Sequence, residues 1–105
     1  MNTHYIEALN KFAAKVRSKY PGAKIRAFGS YARGTATEES DLDICVVLEK
    51  SGPEDRLAIS DIAWDVGFDS GILVSTIVIS EDAYENGPIS ASPLVKTIRS
   101  EGVPA

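Results

Sequence analysis

The stretch FGSYARGTATEESDLDICVV, Phe28 to Val47, decides how this chain is read. It opens on the pair Gly29-Ser30 and closes on two aspartates one residue apart, Asp41 and Asp43. It is either an acidic connection between two strands or an active site. Lys24 to Phe28 alternates and predicts a short strand leading in. Asp41 to Leu48 predicts the strand leading out. Leu42, Ile44, Val46 and Leu48 share one of its faces, and Asp41, Asp43, Cys45 and Val47 share the other. Between them, Ser30 to Arg33 forms one helical turn. Gly34 to Ser40 is polar loop, with Glu38 and Glu39 as solvated loop charges.

Each part of the stretch has a chemistry. Glycine then serine at a strand-to-helix turn lets the backbone approach a ligand closely. The N–H groups heading the next turn favour an anion such as phosphate, and Ser30 adds a hydroxyl donor. Asp41 and Asp43 project from one face of a strand about 6.5–7 Å apart along the chain. Carboxylates so placed can converge on a hard cation, and Mg²⁺ is held by one or two carboxylates with phosphates and water. A phosphate cradle facing a metal site is the minimum for moving a phosphorus group. The plain alternative is an edge strand with solvated aspartates. Two points count against it. Aspartate is a poor strand former, and adjacent like charges cost energy unless a cation neutralises them. The full pattern of Gly-Ser, ten residues and Asp-x-Asp also arises by chance only about once in a thousand chains of this length.

The rest of the chain supplies a scaffold. Ile6, Leu9, Ala13, Val16 and Tyr20 recur at helical spacing. Thr3 or Asn2 caps that helix, and Pro21-Gly22 stops it. Pro53 starts a second long helix with an Ile59, Ile62, Ala63 and Val66 stripe, which Gly67 ends. Ile72 to Ile79 is apolar except for Ser75 and Thr76 and reads as a strand buried on both faces. Ser80 to Glu85 predicts a short helix. Ser92-Pro93 caps a last helix over Leu94 to Ser100, with Gly102 after it. The expected fold is α/β (α+β): a small mixed sheet of about three strands flanked by helices.

With 105 residues, 44% of them hydrophobic and 25% charged, the chain is expected to be a single domain over residues 1–105. No apolar run approaches the roughly 18 residues needed to span a bilayer, and the N-terminus lacks a signal-peptide core. A single cysteine fits a reducing compartment, so a cytoplasmic location is expected. The net charge is −4, and the eleven basic residues are scattered. Unaided nucleic-acid binding needs a basic face and is not expected; a basic protein partner, or a nucleotide brought in with a metal ion, suits the charge better.

The wording GSYARG…SDLD resembles the signature of the DNA polymerase β-type nucleotidyltransferase superfamily. With the short length, it resembles the minimal nucleotidyltransferases, many of which are antitoxins paired with a helical HEPN-domain ribonuclease toxin. The resemblance implies that Gly29 and Ser30 contact the phosphates of ATP and that Asp41 and Asp43 are catalytic and bind Mg²⁺. Arg33 matches a basic position after the Gly-Ser pair, where it either neutralises triphosphate charge or holds the loop. The implied function is transfer of AMP from Mg-ATP to a partner protein, the HEPN toxin, within a hetero-oligomer. The family supplies a third carboxylate from a later strand. Here that strand is Ile72 to Ile79, which holds no Asp or Glu, leaving Ser75 or Thr76 in that place. The alternative is therefore a catalytically weak or inactive antitoxin that neutralises its toxin by binding alone. Transfer to tRNA or a small molecule suits the acidic balance less well.

Among other residues, His4 reads as solvated surface and Cys45 as buried filler. Tyr31 either lines the nucleotide pocket or wedges the turn. Trp64 reads as core or as an interface anchor.

Overall fold

The structure, a computed structural model, describes residues 3–37 and 40–105. Helix α1 (Thr3–Lys19) buries Tyr5, Ala8, Leu9, Phe12, Ala13 and Val16 along one stripe, as their spacing requires. Thr3 is already helical, and Asn2, the alternative cap, lies outside the described residues, as do Glu38 and Glu39. A turn through Pro21-Gly22 leads to β1 (Lys24–Phe28) and the single helical turn α2 (Ser30–Arg33). Strand β2 (Leu42–Leu48), helix α3 (Pro53–Ser70) and strand β3 (Val74–Ser80) form a parallel crossover unit. Helix α4 (Glu81–Asn86), a 3₁₀ turn (Pro88–Ala91), helix α5 (Pro93–Glu101) and a two-residue strand β4 (Val103–Pro104) follow.

The sheet order is β3-β2-β1-β4. Strand β1 runs antiparallel to β2, from Lys24 opposite Val47 to Phe28 opposite Asp43. Strands β2 and β3 run parallel, from Leu42 opposite Val74 to Leu48 opposite Ser80. Each face of the sheet has its own core. Ile25, Ala27, Leu42, Ile44, Val46 and Leu48 pack with residues of α1 and α3. Cys45, Val47 and Ile79 pack with Tyr84 of α4 and Val95 and Ile98 of α5. The alternation expected over β2 is thus real, and both faces are covered, which is why Cys45 is buried.

Four expectations are corrected. Strand β2 begins at Leu42, so Asp41 precedes it. Helix α3 runs past Gly67 to Ser70 and is closed by Gly71, at φ +67°. Gly67 serves contact instead: a Cβ there would stand 2.6 Å from the Ile72 carbonyl oxygen, so its absence lets α3 lie close to the entry of β3. Strand β3 begins at Val74 and lies at the sheet edge, where only its Ile79 is buried. Val74 and Val78 pack partly against one core and Ile77 against the other, so the strand is half-covered on both faces rather than buried. Strand β4 adds a fourth strand too short for any periodicity. It is held beside β1 by the Ala105 N–H to Ile25 O bond (3.0 Å), and Arg17 donates to the carbonyls of Ala23 and Ala105.

Candidate functional site

Gly29 joins β1 to α2 with φ +77° and ψ −155°, a conformation open in practice to glycine alone. The β1–β2 register sets the adjacent Phe28 opposite Asp43. A side chain on Gly29 would run into Oδ2 of Asp43. The glycine is thus required twice, for its backbone and for the space the carboxylate occupies. Ser30 is half-buried and begins α2, whose first internal bond runs from Arg33 N–H to Gly29 O (3.1 Å). The N–H groups ahead of that bond head the turn. Thr35 N–H donates back to Ser30 O (2.9 Å), which closes the turn behind them.

Tyr31 follows Ser30 in α2. It is buried, its ring stacks on Tyr5 at 3.5 Å between centroids, and its hydroxyl donates to Thr37 O (2.8 Å). It wedges the turn against α1.

Asp41 is exposed and Asp43 half-buried, on either side of the fully buried Leu42. Leu42 N–H donates to Leu73 O (2.9 Å), which pins this start of the strand to the segment entering β3. Burial raises the Asp43 carboxyl above its ordinary range, the Asp41 charge raises it further, and Arg33 opposes both. The two carboxylates therefore repel one another across a partly desolvated site. Arg33 also pairs with Glu101 at the end of α5 (3.5 Å). Arg33 thus ties α2 to the end of α5, and its charge reaches Asp43. The link to Glu101 was missed because nothing local in the sequence joins residues 68 positions apart.

The parallel register sets Ser75 opposite Asp43, and Thr76 opposite Ile44. Ser75 is exposed on the Asp43 side; Thr76 belongs to the side packed on α1 and α3. Among the described residues no cluster of three or more His, Cys, Asp or Glu is placed to hold a metal. Asp65 and Asp69 lie on α3 beside Trp64, Phe68 and Lys15. Asp41 and Asp43 are thus the residues that could hold one hard cation, with Ser30 and the α2 backbone placed for an anion beside it. Cys45 follows on the same face, and burial pushes its thiol up to about 11, so it stays protonated and inert.

The chain matches the family model described as "Nucleotidyltransferase domain" over residues 9–103. It is 39% identical over 80 residues to the Methanocaldococcus jannaschii protein named "Putative protein adenylyltransferase MJ0604", covering 74% of this chain and 76% of that one. The solved structure described as a "putative minimal nucleotidyltransferase" superposes with a TM-score of 0.61 at 26% identity, over 100% of this chain and 97% of the other. The structure described as "the toxin-antitoxin with AMP-PNP" gives a TM-score of 0.56 at 18% identity, over 89% of this chain and 68% of that chain. At that identity the likeness is one of fold.

Proposed function

The chain belongs to the nucleotidyltransferase domain family, and we propose that it transfers AMP from Mg-ATP to a hydroxyl of a partner protein, as the cytoplasmic antitoxin of a toxin–antitoxin pair. The observation that carries this is the seating of the Asp43 carboxylate against Gly29, with the Asp41 charge beside it. A like-charge pair with one partly desolvated member, next to a turn that presents N–H groups, is an arrangement a divalent cation and a polyphosphate would relieve together. The name of the M. jannaschii relative supports protein as the acceptor. The AMP-PNP in the description of the toxin–antitoxin structure supports ATP as the donor.

In this reading the α2 backbone and Ser30 hold the leaving phosphates, and Arg33 balances their charge. Asp41 and Asp43 hold Mg²⁺, which when bound would draw charge from the triphosphate. An oxygen of the partner attacks the α-phosphorus, the bond from that phosphorus to the bridging oxygen breaks, and pyrophosphate leaves. The attacking hydroxyl gives up its proton. Ser75 beside Asp43 cannot accept it as a carboxylate would, so it goes to solvent or to a group the partner brings. A HEPN-domain toxin is the partner proposed.

The test combines the chain, the product of the gene adjacent to its own, α-labelled ATP and Mg²⁺. Label should move to the adjacent product with wild type and be lost with Asp41→Ala or Asp43→Ala. Ser75 favours one second reading, an antitoxin that neutralises by binding. In that case the same variants would neutralise fully with no label transferred at all.

A further inference from the structure

Helix α3 is apolar on two sides. Ile59, Ala63 and Val66 are buried toward the sheet. On the outer side Leu57, Trp64 and Phe68 are 67%, 71% and 82% exposed. Their spacing of i, i+7 and i+11 brings all three within about 40° around the helix, one straight stripe. A helix apolar on opposite sides is covered on both. Along one flank of the stripe runs a groove of about 260 Å³, lined by Trp64, Gly67, Phe68, Ile72, Leu73 and Val74. Leu73 adds a further side chain at 61% exposure. Isolated exposed apolar residues are ordinary, but four that line one helix and the strand entry beside it mark a contact surface.

The opposite flank sets the occupant. Asp61, Asp65 and Asp69 follow one another there, all exposed, turned about 40–120° from the stripe. None takes part in the ion pairs found among the described residues. Lys15 of α1 is the cation that reaches this edge, beside Asp65 and Asp69. A second copy would bring the same apolar stripe with three aspartates against one lysine, a net negative flank that complements this one poorly. We propose that the stripe is the docking surface for the acceptor protein, which lays an apolar helix flanked by Lys or Arg along Leu57, Trp64 and Phe68 and into the groove. The proposal rests on the transfer reading only for what the docked protein is, not for where it docks.

The position suits that task. Leu73 lies two residues before Ser75, about 7 Å along the chain, and Ser75 is the open neighbour of Asp43. The strand entry that borders the groove thus leads to the residue opposite Asp43.

The test measures affinity of the purified chain for the product of the adjacent gene, self-association by sedimentation, and AMP-PNP binding by the chain alone. Trp64→Glu and Phe68→Ser should each weaken the complex about 30-fold or more. Both residues are exposed, so AMP-PNP binding and Tm should stay unchanged. Asp65→Lys combined with Asp69→Lys should weaken the complex and flatten its salt dependence. Unchanged affinity in the Trp64 and Phe68 variants would overturn the proposal. So would a wild-type dimer that Trp64→Glu dissolves, or a wild-type chain that does not bind the adjacent product. A complex lost in Trp64→Glu with no label transfer by wild type keeps the docking surface and removes the transfer reading. Label transfer by a Trp64→Glu variant that still binds does the reverse.

Discussion

Ser75 stands opposite Asp43 in the parallel register of β2 and β3, on the same side of the sheet. In the proposed reading a third acid at this place, which now holds a hydroxyl, would complete the site. Ser75→Asp should supply it. The expected outcome is faster AMP transfer, by about 10-fold or more on the scale of a well-placed general base. Tighter Mg²⁺ binding and a lower Tm without Mg²⁺ should accompany it, because three carboxylates repel where two did. Initial rates of label transfer and a Mg²⁺ titration of Tm check it; a slower Ser75→Asp enzyme would show that the register neighbour is not the third position.

Asp43 carries its charge at a cost, since burial and Asp41 both raise its carboxyl. For a carboxylate raised in the folded state, the unfolded chain ionises more readily. The group therefore destabilises the fold at neutral pH, and the penalty fades as pH falls through its raised range. Asp43→Asn should be more stable than wild type at pH 7 without Mg²⁺, by less than ~1 kcal/mol given solvent screening at this half-exposed site. The difference should close in acid, and Mg²⁺ should raise Tm for wild type alone. Melts at pH 4 to 8 with and without Mg²⁺ check this.

Gly29→Ala meets two obstacles, a φ of +77° and the Asp43 carboxylate. The backbone strain alone costs ~1–3 kcal/mol. The variant should have a lower Tm and lose AMP-PNP binding. Gly34→Ala also sits at positive φ but opens onto space; it should lose stability while keeping ligand binding, so the pair separates strain from damage to the site.

Asp55 accepts from Gly52 N–H (2.9 Å) at the start of α3 and from the Tyr20 hydroxyl (2.8 Å). These bonds hold its carboxyl below the ordinary range, the Gly52 bond foremost. A depressed carboxyl stabilises the fold above its unfolded value and loses that contribution as pH falls through the folded one. Wild type should out-melt Asp55→Ala at pH 7, with the gap shrinking below about pH 4. Equal pH slopes for the two proteins would exclude the linkage.

The sequence was most informative where one periodicity or one local motif carried the signal. The alternation of Leu42 to Leu48 gave β2 and its two faces, and Gly29-Ser30 gave the turn. Long-range pairing was not legible. No pattern distinguishes an edge strand from a central one when both are rich in Val and Ile, as β3 and β2 are. Gly67 and Gly71 are equally good helix stops in isolation. Only the approach of Ile72 O to Gly67 shows which of them is needed for contact and which for the left-handed turn. At the site, the residue types and spacing were legible, but the choice of Ser75 over Thr76 needed the register. Asp41 was placed within β2 because alternation extends one residue past the last strand bond.

The stacking of Tyr31 on Tyr5 has a consequence for how tightly a nucleotide can be held. A glycine-bearing turn is ordinarily free to move, and a ligand that orders it surrenders part of its affinity as lost conformational entropy. Here α1 holds the second residue of α2 by its ring, and Thr37 holds the hydroxyl. The turn's freedom is therefore reduced when the chain folds, and in the proposed reading a triphosphate meets a preorganised receptor.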